Sequence, residues 1–187
     1  MGEARALRTC QSLYMTESVL NDLLRRVTES GLLDDAQIDE DSVIGSGHLD
    51  AAGVEVEVDL DPEIDEEDEP DLDAIMAGLK DILSVSEERW RAIVEEVASD
   101  IEDALDDDEL DAEVDLRTDL EAIGVGVFAD AIIVVFAGQT SFPDALVHVQ
   151  LTPELEVEDI EIVGDDPETV KRESWGFTVG DNGASLV

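Results

Sequence analysis

Apolar and polar positions recur with two different periods along this chain, and the change of period divides it. Between Thr16 and Gly31 the apolar residues Leu20, Leu23, Leu24 and Val27 fall at i, i+3, i+4 and i+7, the spacing of one helix face. Thr16 can cap the start of that helix and Gly31 is placed to end it. The acidic stretch from Asp34 to Asp41 then reads as a loop. Two runs follow, Ser42 to Leu49 and Val54 to Leu60, joined by Asp50-Ala51-Ala52-Gly53, and they predict a β-hairpin. In the second run Val54, Val56, Val58 and Leu60 share one side while Glu55, Glu57 and Asp59 share the other. One face of this strand should pack and the other should carry carboxylates.

Pro62 to Pro70 is acid-rich, with Ile64 its only apolar member besides the two prolines, and reads as a solvated loop. A helix is predicted after it on the stripe Leu72, Ile75, Met76, Leu79 and Leu83. The break at Ser84-Val85-Ser86 supplies a cap for another helix, with Glu87 and Glu88 in its favourable first turn. Trp90, Ile93, Val94, Val97, Ile101 and Leu105 continue at helical spacing and form the most regular amphipathic stripe in the chain. Trp90 heads that stripe, which assigns it to the core rather than to a partner.

From Leu116 the period becomes two. Apolar runs at Leu120 to Phe128, Ala131 to Ala137, Ala145 to Leu151 and Glu156 to Val163 are separated by short turns, so neighbouring strands should pair antiparallel. Ile132 to Phe136 is apolar without alternation, as expected for a central strand covered on both faces. The predicted fold class is α+β: an antiparallel sheet, made of a hairpin plus a four-strand meander, with helices packed on one face. Residues 1–14 read as an N-terminal extension, and the sequence leaves open whether Met1 or Met15 is the natural start. Residues 15–165 read as a single α+β domain, and 166–187 as a C-terminal tail carrying Trp175 and Phe177.

Composition sharpens this picture. Leu, Ile, Val and Phe make up 57 of 187 residues, above the roughly 20% below which a highly charged chain fails to bury a core. Against that stand 51 Asp and Glu to 10 Lys and Arg, a formal charge of -41. Phosphate backbones and anionic membranes both require clustered Lys and Arg, so neither nucleic acid nor a membrane surface is an expected partner. The longest apolar run, Ala131 to Gly138, is far short of the roughly 20 residues that span a bilayer. A start that interleaves Thr9, Cys10, Gln11 and Ser12 with apolar residues does not read as a secretory signal, and a cytoplasmic protein is expected. Cys10 is the only cysteine, so no internal disulfide and no Cys-x-x-Cys site exists.

Candidate chemistry is sparse. The acid run beginning at Asp59 does not fit a calcium-binding EF-hand loop, because Ile64 stands where the turn glycine belongs and Pro70 where the bidentate glutamate belongs. His48 and His148, the only histidines, would make a metal or general-base site only by converging in space. No Gly-x-Ser-x-Gly, phosphate-binding loop or Gly-x-Gly-x-x-Gly is present, and Gly124-Val125-Gly126-Val127 reads as strand. No catalytic residue, metal or cofactor is therefore expected. The expected interaction surface is the acidic wall of Glu55, Glu57 and Asp59, continued by Asp61, Glu63, Asp65 and Glu66, whose field would attract a basic protein partner. Two alternatives come from other classes: a metal-dependent hydrolase built on His48, His148 and nearby acids, and an acidity that adapts the protein to high salt without bearing on its role.

The order of elements resembles that of small acidic bacterial domains of unknown function, of a kind common in actinobacteria. The likeness is carried by Val127-Phe128-Ala129-Asp130-Ala131-Ile132-Ile133-Val134-Val135-Phe136, then Leu146-Val147-His148-Val149 and Leu155 to Ile162, and would span about residues 15–165. It implies a two-helix segment before a meander, and transfers no catalytic residue. Acidic immunity proteins, which neutralise basic toxins, are similar in charge and size only.

Overall fold

A computed structural model describes residues 3–64, 70–105 and 114–164, with side chains from Glu17 onward. The predicted tail 166–187, with Trp175 and Phe177, lies outside the described residues, as do the side chains of Cys10, Met15 and Thr16. The elements are α1 (Glu3–Ser30), β1 (Asp34–Asp39), β2 (Ser42–Leu49), β3 (Val54–Leu60), α2 (Leu72–Leu83), α3 (Glu87–Ala104), α4 (Leu116–Asp119), β4 (Leu120–Val127), β5 (Ile132–Gly138), β6 (Phe142–Leu151) and β7 (Val157–Gly164). The described residues form an α+β fold with four helices and one seven-stranded, mostly antiparallel sheet. Among the described residues no helix is long and apolar enough to cross a membrane.

The helices begin and end where local chemistry allows. Gly31 takes a φ of +66° just past α1, a conformation that costs other residues a Cβ clash, and its N–H bonds back to the Val27 carbonyl. The Asp71 carboxylate accepts the Ala74 N–H at the start of α2, and the Ser86 hydroxyl accepts the Arg89 N–H at the start of α3. The backbone of α1 starts at Glu3, so residues expected to form a separate extension continue the predicted helix toward the N-terminus.

The strands lie in chain order, β1 to β7. Every neighbouring pair is antiparallel except β3 and β4, which run parallel with Glu57 opposite Gly124 and Leu60 opposite Val127. A parallel joint needs a long crossover, and α2, α3 and α4 occupy that connection. The sheet is thus not antiparallel throughout, as the sequence led one to expect. The expected acidic loop Asp34 to Asp41 is a second correction, because most of it is the edge strand β1. With Ile38 its only large apolar residue, β1 carries no alternating signal. It is held by pairing with β2 across a tight turn, with a bulge between Asp34 and Gln37.

One large apolar cluster joins Leu20, Leu23 and Val27 of α1, Ile75 and Leu79 of α2, and Trp90, Ile93 and Val97 of α3 to alternate strand residues, among them Val56, Val58, Val125, Val134, Phe136 and Val149. Trp90 stacks on Phe136 with ring centroids 5.7 Å apart, an arrangement worth about 1 kcal/mol beyond simple burial. Helix and sheet approach closely at Gly78 of α2, where a Cβ would lie 3.2 Å from Val127 Cγ1, and at Gly47 of β2, where it would lie 3.1 Å from the Leu83 side chain. The intervening β5 residues Ile133 and Val135 form a second, smaller cluster with Phe128 and Ala131 of the β4–β5 turn, and Leu146 packs against it. Both sets of β5 side chains are therefore buried, which accounts for its unbroken apolar run.

Candidate functional site

Strand alternation puts Glu55, Glu57 and Asp59 on the side of β3 opposite the large cluster, but the three carboxylates meet different surroundings. Glu55 and Glu57 are exposed, beside His48 and Ser46 of β2 in the ladder. Asp59 is only 7% exposed, in register between Ile44 and Gly126, and its Oδ1 is buried with no hydrogen-bond partner among the described residues. The exposed acidic wall predicted from the sequence is thus interrupted at Asp59. Burial is the main force raising the Asp59 carboxyl to about 6; the Ser42 hydroxyl offsets part of the rise, and Asp61, Asp39 and Asp41 add repulsion.

The acids beyond Asp59 share this condition in weaker form. Asp61 is half-buried and its carboxyl is raised by burial, partly offset by the Glu63 N–H that it accepts at 2.7 Å, with repulsion from Asp41. Glu63 is raised by burial first, then by Asp130 and Asp61. Asp65 and Glu66, the last members of the predicted wall, lie outside the described residues. Sequence spacing alone missed Asp39, Asp41 and Asp130, because strand pairing and the β4–β5 turn bring them to the end of β3, not proximity in the chain.

Elsewhere acids are matched by arginines. Arg117 of α4 binds Glu95 at 2.8 Å and Glu102 at 2.7 Å, both on α3, with Asp115 at 3.6 Å. Hydrogen bonds to Glu95 and then Glu102 raise the Arg117 pKa, and the Arg117 bond in turn lowers that of Glu95. Arg25 pairs with Asp22 at 2.5 Å and Glu29 at 2.9 Å, and Arg26 pairs with Asp22 at 2.9 Å and with Asp73 of α2. Arg89 donates to the Leu155 carbonyl at 2.7 Å. Most arginines with described side chains thus point into the molecule's own acceptors.

The two histidines lie on the same side of the sheet but on β2 and β6, four strand spacings or about 19 Å apart. His48 is exposed with Asp50 Oδ1 4.0 Å from its Nε2, while burial lowers the pKa of His148 and Glu161 partly restores it. Among the described residues no three His, Cys, Asp or Glu side chains are grouped so as to hold a metal ion. The Asp119 carboxylate, the nearest thing to an organised anion, is engaged by the Thr140 and Ser141 N–H groups at the β5–β6 turn. Comparison with known proteins yields no protein family, no curated protein and no solved structure that matches this chain.

Proposed function

We propose that this is a non-enzymatic, cytoplasmic acidic domain that binds a basic protein partner. In this reading residues 15–165 form a single domain in which a hairpin and a four-strand meander carry helices on one face. The supporting observation is the fate of its cations: Arg25, Arg26 and Arg117 are consumed in pairs with the chain's own carboxylates, while Glu55 and Glu57 remain exposed and the formal charge is -41. A field of one sign speeds encounter with a basic surface and repels acidic ones. The separation of His48 from His148 favours this reading over a hydrolase that would need both.

A pull-down from cell extract with the immobilised chain tests the proposal. Specific basic proteins should be retained at about 0.05 M salt and released near 1 M, where screening is nearly complete. Retention of no partner, or of partners insensitive to salt, overturns it. The spread of acids over β1, β3 and α3 also favours a second reading, in which acidity suits the protein to concentrated salt. That reading requires the melting temperature to climb steeply from dilute to molar salt, and a flat response eliminates it.

A further inference from the structure

A groove of about 460 Å³ runs between the last turns of α3 and the strand β7, within the ~300–1,000 Å³ span of ligand-sized clefts. Its floor is apolar: Ile101 is fully covered, while Leu105, Val157, Ile160 and Ile162 are only half-buried and still offer surface. Its walls are acidic on both sides, with Asp100 and Asp103 on α3 and Glu158 and Asp159 on β7, all four exposed. The last turn of α3 holds no basic residue, although the partial negative charge of a helix C-terminus favours a cation there. Glu102 answers its charge through Arg117, but Asp100 and Asp103 have no ion pair among the described residues, so acids stand at the helix end that tolerates them least.

We infer that this groove seats a cationic amphipathic helix of a partner protein, its apolar stripe on Ile160, Ile162 and Leu105 and its flanking Lys or Arg residues against the two acidic walls. The cross-section of the groove, acid then apolar then acid, is the complement of a helix whose narrow apolar stripe is bordered by basic residues on both sides. An extended segment would instead alternate its side chains between the groove and solvent. The inference rests on the binding role proposed above and assigns it a location and a partner chemistry.

The test uses the full chain and two synthetic peptides of identical Leu and Lys composition, one ordered as an amphipathic helix and one scrambled so that no stripe forms. At about 0.15 M salt the striped peptide should bind at least about tenfold more tightly in calorimetric titration, a difference of about 1.4 kcal/mol. Ile160→Glu should erase that advantage while leaving the scrambled peptide's affinity unchanged. Ala104→Trp, which fills the groove from its exposed lip on α3, should do the same without touching the core, and circular dichroism verifies that each variant is folded. Equal binding of the two peptides, or an advantage that survives both substitutions, overturns the groove assignment and leaves the acidic-binder reading standing. If neither peptide binds even at low salt, both fall.

Discussion

The acids around Arg117 and the acids around Asp59 are the same chemical groups in opposite circumstances. At Arg117 one guanidinium serves Glu95 and Glu102 through charge-assisted hydrogen bonds, and the Glu95 carboxyl is held below its usual range. At Asp59 no cation approaches among the described residues, one carboxylate oxygen is buried without a partner among them, and the carboxyl rises to about 6. A formal charge of -41 therefore has no single energetic meaning. It is harmless where each carboxylate has water or an arginine, and costly where burial raises the carboxyl, most of all at Asp59 and more weakly at Asp61 and Glu63.

The sharpest break in that comparison is Asp59→Asn. Raising a carboxyl from its ordinary 3.8 to about 6 makes the ionised form cost about 3 kcal/mol of stability at neutral pH, and the variant removes the charge with little change of shape. Chemical denaturation at pH 7.5 should show a gain of about 2–3 kcal/mol, and a loss would contradict the account. Since the folded-state value lies above the unfolded one, the parent protein gains from protonation fully below about pH 4 and loses that gain as pH rises through about 6. The gap between parent and variant should accordingly close on acidification. Using the difference cancels the opposite tendency of His148, whose lowered pKa makes acid unfavourable.

A smaller effect is expected at Asp119, where burial opposes the charge but the N–H groups of Ser141 and Thr140 outweigh it. Asp119→Ala should cost about 1 kcal/mol by leaving those donors to water, read as a lowered urea midpoint. Arg117→Met should lower the midpoint as well, by less than Asp59→Asn raises it, because its ion pairs are largely solvated and surface pairs contribute little each. Carboxyl NMR should then show Glu95 titrating at higher pH than in the parent. Molar salt should shrink the Arg117 effect and leave that of Asp59 nearly intact, since screening reaches exposed charges and not desolvation. Equal salt sensitivity at the two sites would erase the distinction between them.

How much of this could be read in the chain depends on which physical quantity a residue pattern encodes. Periodicity encodes burial of a face, so the stripe from Trp90 to Ile101 and the paired strands Ser42–Leu49 and Val54–Leu60 lie where their spacing puts them. It does not encode partners. β1 is held by backbone pairing with almost no apolar side chain, and nothing in Glu57–Leu60 announces a parallel neighbour 67 residues away. Asp59 shows the same limit at one residue: alternation assigns its face correctly, yet its burial follows from what lies beside it. Arg117 was equally silent, because Glu95 and Glu102 become its neighbours only when α3 and α4 meet.

The parallel joint between β3 and β4 also bears on the order of assembly. Strands β1 to β3 are linked by tight turns, as are β4 to β7, so each set can zip locally at small entropic expense. Bringing Val58 beside Val125 closes a loop that contains α2, α3 and α4, and such non-local contacts are late and slow to form. Trimming Val125 to Ala should therefore accelerate unfolding far more than it retards refolding in stopped-flow measurements, whereas an early nucleus at this seam would give the reverse. The first result would make the seam the place where two locally zipped ribbons join into one sheet.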